Sequence, residues 1–227
     1  MKDIRNLVNR FFGDLSRKHD VENLYVQLSS FIQIYGLLPQ GTLLKPLRGW
    51  AISPDALLHV AITFKAIKPA AVVEFGSGQS TIVLAALLKS QGAGKLLSIE
   101  HNANHARSLE TQLKACGLSD WVDARTVRLV SLVEDPPSRT YDLTWLEHYS
   151  ADLVLVDGPP ASLGLLARYS PLKWAVDNVT STGSVFLDDA NRPEEEAIVN
   201  RVMRECSALQ CEAIDCEKGL YRLWKTD

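Results

Sequence analysis

The sequence predicts an α/β fold in which a mostly parallel β-sheet carries helices on both faces. Strand-like and helix-like segments alternate from about residue 70 to residue 206, and this alternation is typical of parallel strands joined by helical crossovers. Two glycines, Gly76 and Gly78, directly follow the first strand and lead into an apolar helix. Near the C-terminus, segments 209–214 and 220–225 flank Glu217-Lys218-Gly219, which predicts a closing antiparallel hairpin.

An N-terminal helical extension is expected before the sheet. Apolar residues at helical spacing predict one helix over residues 4–15 and a second over residues 21–35, which Gly36 and Pro39 end. An apolar loop follows, and Ser53-Pro54 is typical of an N-cap and the first position of a helix. We therefore predict a helical cap or oligomer contact over residues 1–52 and a main domain over residues 53–227.

The elements of the main domain follow in order. The predicted strands are 71–75, 95–100, a segment between 122 and 129, 152–157 and 184–187. The predicted helices are 80–90, 103–115, 172–180 and 194–206. The fourth strand is apolar throughout, which favours a central place in the sheet.

Composition leaves several classes of function without support. The net charge is −3 with 22% charged residues, so no overall basic field points to a nucleic-acid partner. The four cysteines form no C-x-x-C pair, and no apolar run is long enough to span a membrane. The N-terminus lacks the apolar core of a signal peptide. We therefore expect a cytoplasmic protein without a membrane partner, and the sequence gives no support for a nucleic-acid partner.

The glycine segment predicts a cofactor pocket. Glycines one residue apart let the backbone turn sharply and approach a ligand, and the following helix directs free N–H groups to the same corner. Thr81 replaces the third glycine of the dinucleotide-binding fingerprint. About twenty residues further on, Glu100 ends the second strand, where a carboxylate can accept both hydroxyls of a ribose.

These residues resemble the class I S-adenosylmethionine-dependent methyltransferases over about residues 53–225. The resemblance implies a Rossmann-like sheet of seven strands that includes the closing hairpin. It also implies an S-adenosylmethionine site in which the first strand's end binds the methionine part, Ser80 and Thr81 support the helix start, and Glu100 binds the ribose beside His101. The implied contacts to the methionine part are Glu74, Gly76, Ser77 and Gly78, and a turn at Val130-Ser131 is expected to line the adenine.

Two further strand ends carry aspartates. Asp157-Gly158 resembles the methyltransferase motif beside the transferred methyl group, and Asp157, Asp188 and Asp189 match the ligand set of metal-dependent O-methyltransferases of antibiotic-sugar pathways. The resemblance implies a divalent ion, with Mg²⁺ as the candidate, because hard oxygen ligands suit magnesium and the ion would activate a substrate hydroxyl. Asp157 and Asp188 are therefore the predicted catalytic residues.

Alternatives remain open for this region. Residues 191–194 (Asn-Arg-Pro-Glu) fit a capping box for the next helix, and one aspartate could satisfy backbone donors at that turn. Gly-Pro-Pro after Asp157 departs from the sugar-enzyme pattern. Arg168 and Arg192 fit either an anionic substrate or ion pairs with the aspartates.

The leading hypothesis is a methyltransferase that acts on a hydroxyl of a small molecule, such as a sugar or another natural product. A non-catalytic cofactor-binding protein with the same fold and an NAD(P)-dependent oxidoreductase are the alternatives. The expected partners are a small-molecule acceptor and a second copy of the chain, bound through the N-terminal helices.

Overall fold

The structure is a computed structural model that describes residues 2–132, 138–147 and 149–226, with side chains from residue 20 onward. Its first element is one continuous helix, α1 (Lys2–Leu37), so the prediction of two N-terminal helices is wrong. Residues 16–20 are polar but include neither glycine nor proline. They interrupt the apolar pattern of the sequence without interrupting the helix, because none of these residue types breaks a helix as glycine or proline does.

The strands follow in chain order along the rest of the protein. They are β1 (Ala71–Phe75), β2 (Lys95–Glu100), β3 (Val122–Thr126), β4 (Leu129–Leu132), β5 (Ser138–Tyr141), β6 (Ala151–Val156), β7 (Val179–Asp188), β8 (Leu209–Ile214) and β9 (Leu220–Lys225). Seven of them form a sheet in the order β3-β2-β1-β6-β7-β9-β8. The first five of that order are mutually parallel, and β9 and β8 are antiparallel additions at one edge. The Rossmann-like sheet and its closing hairpin are thus confirmed.

Helices cover both faces of this sheet. The remaining α-helices are α2 (Pro54–Ile67), α3 (Gln79–Gln91), α4 (Ala103–Ala115), α5 (Tyr169–Asn178) and α6 (Pro193–Glu205). Successive strand residues point to opposite faces, so Leu155 packs with α2 and α3 while Val154 and Val156 pack with α5 and α6. The core is therefore divided by the sheet into two apolar layers.

The C-terminal end of α1 belongs to the first of these layers. Ile34, Leu47 and Ile52 are buried in the same cluster as α2 and α3. A domain boundary at residue 52 stays a prediction, although these three residues tie the segment before it to the main core. Among the described residues, none of the helices combines the length and apolarity that crossing a membrane requires.

Strands β4 and β5 pair with each other in a two-stranded sheet separate from the main one, where a turn is predicted from the sequence. Val130 and Ser131 lie in β4, where they pair with Thr140 and Arg139 of β5. They were predicted to form a turn, and β5 was not predicted at all. Short strands such as these gain their stability from pairing and packing, which local sequence does not encode. β7 is also longer than predicted, because α5 ends at Asn178 and the strand begins immediately.

Candidate functional site

A crevice opens at the carboxyl ends of the central parallel strands. It holds a cavity of about 350 Å³ and a neighbouring cavity of about 210 Å³. Both are lined by Trp50, Ser77, His105 and Asp157, so they form one continuous site. Ligands of open α/β sheets bind at this position, and the combined volume falls in the usual range for small-molecule sites.

Gly76 sits where the loop after β1 meets the loop after β6. Its φ is +92°, and a Cβ there would lie 2.9 Å from the carbonyl carbon of Asp157 and 2.9 Å from the nitrogen of Gly158. Any side chain at this position would therefore push the two loops apart. Gly78 is extended instead, and a Cβ added there would point into open space. The two glycines thus serve different purposes: Gly76 permits loop contact, and Gly78 leaves room beside the helix start.

Glu74 is buried behind the glycine loop and does not line either cavity. Its carboxylate accepts hydrogen bonds from the hydroxyls of Thr81 and Ser98. Thr81 in turn accepts a hydrogen bond of 2.9 Å from the N–H of Gly78, so these residues fix the start of α3. Burial raises the pKa of Glu74 from 4.5 to about 7. The predicted contact between Glu74 and the cofactor stays a prediction that this position does not favour.

Glu100 lies at the end of β2 and faces the larger cavity. One of its carboxylate oxygens accepts hydrogen bonds from the N–H and the hydroxyl of Ser77, at 3.2 and 3.1 Å. The other accepts hydrogen bonds from the N–H groups of His101 and Asn102, at 2.8 and 2.7 Å. These bonds hold the carboxylate between the glycine loop and the start of α4, where it lines the crevice.

The side chain that the β4–β5 hairpin contributes to the cavity is Tyr141. Neither Val130 nor Ser131 lines the cavity, whereas Tyr141 and His101 both do. The Tyr141 hydroxyl is buried without a hydrogen-bond partner among the described residues. Burial and the nearby carboxylate of Glu100 raise the pKa of this phenol well above 10, so it stays protonated and able to donate. Tyr141 carries no signal in the sequence that would mark it as a site residue, because its strand contains no motif.

Three aspartates meet at the ends of β6 and β7. Asp157, Asp188 and Asp189 each place a carboxylate oxygen within 4.8 Å of the other two. Asp157 and Asp189 line the larger cavity, but Asp188 lies behind them, fully buried, and both of its oxygens lack a hydrogen-bond donor among the described residues. Burial raises the pKa of Asp157 well above its usual range and that of Asp188 to about 6. Asp157 and Asp189 therefore separate the Asp188 carboxylate from the cavity.

The capping alternative for this region is wrong. The structure places Arg192 at the N-cap of α6, and no side chain caps the helix there. Instead, the Arg192 guanidinium lies 2.8 Å from Asp189 and 3.6 Å from Glu195. Asp189 itself adopts a left-handed backbone with a φ of 62°, which turns its side chain back toward this cluster.

The position of Arg168 determines whether the three aspartates can also bind a metal ion. Its guanidinium lies 2.9 Å from the carboxylate of Asp189 and 3.4 Å from that of Asp157. The carboxylate chemistry of the three aspartates suits a hard divalent ion, but a cation already contacts two of them. In the described arrangement, the residues therefore do not fit a divalent ion in addition to the arginine.

The fold and this crevice define a class I S-adenosylmethionine-dependent methyltransferase. The sequence profile of a methyltransferase-domain family matches residues 73–190, more than half of the 227 residues, and the chain belongs to that family. The matched range begins inside β1 and ends just after Asp189, so it includes the glycine loop, Glu100 and the carboxylate cluster.

Solved methyltransferases share the fold at low sequence identity. An O-methyltransferase from Bacillus cereus in complex with SAH has a TM-score of 0.60 at 17% identity, over 91% of this chain and 97% of that one. The O-methyltransferase TomG from Streptomyces achromogenes, involved in tomaymycin synthesis and in complex with SAM, has a TM-score of 0.58 at 15% identity, over 89% and 90%. The SAH-bound methyltransferase PaMTH1 from Podospora anserina has a TM-score of 0.60 at 12% identity, over 89% and 88%. No curated protein matches the chain.

Proposed function

We propose that this methyltransferase binds S-adenosylmethionine along the crevice and methylates a hydroxyl group of a small molecule. The observation that carries this proposal is the contact between the glycine loop and the Asp157-Gly158 loop at Gly76. It brings a backbone suited to a nucleotide-type cofactor and a partly exposed carboxylate into one cavity. The solved neighbours from Bacillus cereus and Streptomyces achromogenes are O-methyltransferases, which favours oxygen as the acceptor atom.

In this proposal, the cofactor lies from Glu100 to Asp157. The Glu100 carboxylate accepts the ribose hydroxyls, and Ser77 is released from that carboxylate to meet the ligand. The backbone of the glycine loop and the N-terminus of α3 hold the methionine carboxylate. S-adenosylmethionine supplies a methyl group on a positively charged sulfur, and Asp157 lines the part of the cavity that we assign to that end of the cofactor.

Asp157 is the residue that we assign to the acceptor's proton. A hydroxyl oxygen must lose its proton as it attacks the methyl group, and a nearby carboxylate can receive it. Asp157 lines the cavity, and burial raises the pKa of its carboxyl, which improves it as a base. Asp188 is fully buried and does not line the cavity, so we do not assign it a part in this proton transfer.

The acceptor is proposed to bind between Trp50 and the C-terminal hairpin. Trp50 is 78% exposed at the mouth of the cavity, beside Arg192 and Lys218. The ammonium group of Lys218 donates hydrogen bonds to the carbonyls of Gly49 and Ala51, at 2.8 and 2.7 Å, so the hairpin fixes the loop that carries Trp50. An indole face with polar neighbours suits the ring of a sugar or another hydroxylated natural product.

Titration calorimetry with S-adenosylmethionine, followed by transfer of a labelled methyl group to a panel of hydroxylated molecules, tests this function. We expect micromolar cofactor binding by the wild-type protein. The variant Asp157→Asn should keep cofactor binding within threefold and lose at least 100-fold in methyl transfer, whereas the exposed control Asp215→Asn should retain both. Absence of cofactor binding by the wild type would contradict the proposal.

We also propose that α1 pairs with α1 of a second copy. Exposed apolar residues recur along α1 at alternating intervals of four and three residues, namely Val21, Tyr25, Leu28, Ile32 and Tyr35. That spacing is the 3.5-residue period of a two-helix seam. The double substitution Leu28→Lys and Ile32→Lys should convert a dimer to a monomer in sedimentation velocity, and Gln33→Lys should not. A wild type that sediments as a monomer at high concentration would contradict this pairing.

A further inference from the structure

Arg168 is the most heavily bonded cation of the described cluster. Its side chain is 4% exposed, and it donates to the backbone carbonyls of Pro159, Asp157 and Asp188 at 3.2, 3.0 and 3.0 Å. It also lies 3.4 Å from the carboxylate of Glu195. One guanidinium therefore connects the end of β6, the end of β7 and the first turn of α6, in addition to Asp189.

The position of this guanidinium conflicts with a divalent ion. Its Nη2 atom contacts the carboxylates of both Asp157 and Asp189, which are two of the three oxygen donors that the sequence suggested for Mg²⁺. A divalent ion bound by the same oxygens would lie within a few ångströms of the guanidinium, where like charges repel strongly in a buried site. The planar, permanently charged guanidinium already supplies the positive charge that these carboxylates require.

We propose that Arg168 is the resident cation of this site, that it positions Asp157 and Asp189, and that the cluster binds no divalent metal ion. The inference differs from the Mg²⁺ site that the sequence resemblance implied. It rests on the proposed function in one respect, which is that the proposed function places this cluster at the site of methyl transfer. Its geometric basis is independent of which acceptor is methylated.

Binding of Mn²⁺, measured from the electron paramagnetic resonance signal of the free ion, tests this inference without an acceptor. The wild-type protein and the exposed control Arg204→Met should leave the signal of submillimolar Mn²⁺ unchanged. Arg168→Met, which removes the charge and keeps much of the volume, should bind Mn²⁺ at least tenfold more tightly. Adding Asp188→Asn to Arg168→Met should abolish that gain, because it removes the fully buried carboxylate.

Stoichiometric Mn²⁺ binding by the wild type that Asp189→Asn abolishes would overturn the inference. If Arg168→Met does not fold, as judged by thermal unfolding, this wild-type titration decides the question alone. Arg168→Lys retains a charge but not the two-pronged geometry, so it should bind no Mn²⁺ and should still lose at least tenfold in methyl transfer. Calorimetry with S-adenosylmethionine is run separately, so failure of cofactor binding would count against the proposed function and not against the role of Arg168.

Discussion

The carboxylate of Glu100 accepts two hydrogen bonds from Ser77, one from its N–H and one from its hydroxyl. This contact joins the end of β2 to the glycine loop after β1, across 23 residues of sequence. In the proposed complex, the ribose would occupy acceptor positions that Ser77 occupies here. Glu100, which we propose as the ribose-binding residue, is therefore held in place by the glycine loop before a ligand binds.

Replacing Glu100 with Gln should weaken S-adenosylmethionine binding by about 10- to 100-fold, because a hydrogen bond to a charged acceptor contributes about 1.5–3 kcal/mol. Titration calorimetry gives the affinity directly. Glu212→Gln on the exposed edge strand β8 serves as the matched control and should bind normally. Equal affinities of the Glu100 variant and the wild type would remove Glu100 from the cofactor site.

The two glycines of the loop should respond differently to alanine. Gly76→Ala should lower stability by about 2 kcal/mol or more, because its Cβ meets the loop at Asp157 and its φ is positive. Gly78→Ala should fold normally but lose cofactor affinity, since its Cβ enters open space beside the helix start. Thermal unfolding and calorimetry on both variants separate the effects, and normal cofactor binding by Gly78→Ala would place the ligand elsewhere.

Tyr141→Phe should weaken cofactor binding by about 5- to 20-fold while leaving the melting temperature unchanged or slightly raised. The lost hydroxyl has no hydrogen-bond partner among the described residues, so its removal costs the unliganded fold nothing, whereas a ligand would lose a donor. Calorimetry and thermal unfolding of the same preparation check both parts. A fall in melting temperature without a change in affinity would show that the hydroxyl serves the fold instead.

Stability should depend on the protonation of Glu74. Because burial raises the pKa of this group to about 7 in the folded protein, its contribution is complete below the unfolded value near 4.5 and is lost as the pH rises through 7. Glu74→Gln should remove on the order of 3 kcal/mol of that pH dependence between pH 5 and 8. Denaturant unfolding at several pH values measures it, with Glu212→Gln as the control.

The stability of the Glu74→Gln variant should still decline somewhat as the pH rises, because the raised pKa values of Asp157 and Asp188 act in the same direction. Identical pH profiles for the variant and the wild type would mean that Glu74 does not titrate in this range. A profile that rises with pH in the wild type would contradict the assignment of all three groups.

Local sequence pattern was enough to predict the class of fold and the strand ends that carry the site. Alternation of strand and helix is encoded locally by apolar periodicity and glycine positions, and the parallel arrangement then brings Gly76, Glu100, Asp157 and Asp189 to one edge. The family resemblance rested on those same residues. Local pattern was sufficient because each of these residues follows directly from the strand that positions it.

Local pattern could not predict which side chains line the crevice or which cation contacts the aspartates. Arg168 lies eleven residues beyond Asp157 and twenty before Asp188, in a segment without a motif, and its contacts depend on how the loop after β6 folds back over the sheet. Tyr141 likewise reaches the cavity through a hairpin whose pairing is non-local. Neither position follows from local periodicity, because each is fixed by contacts between segments distant in the chain.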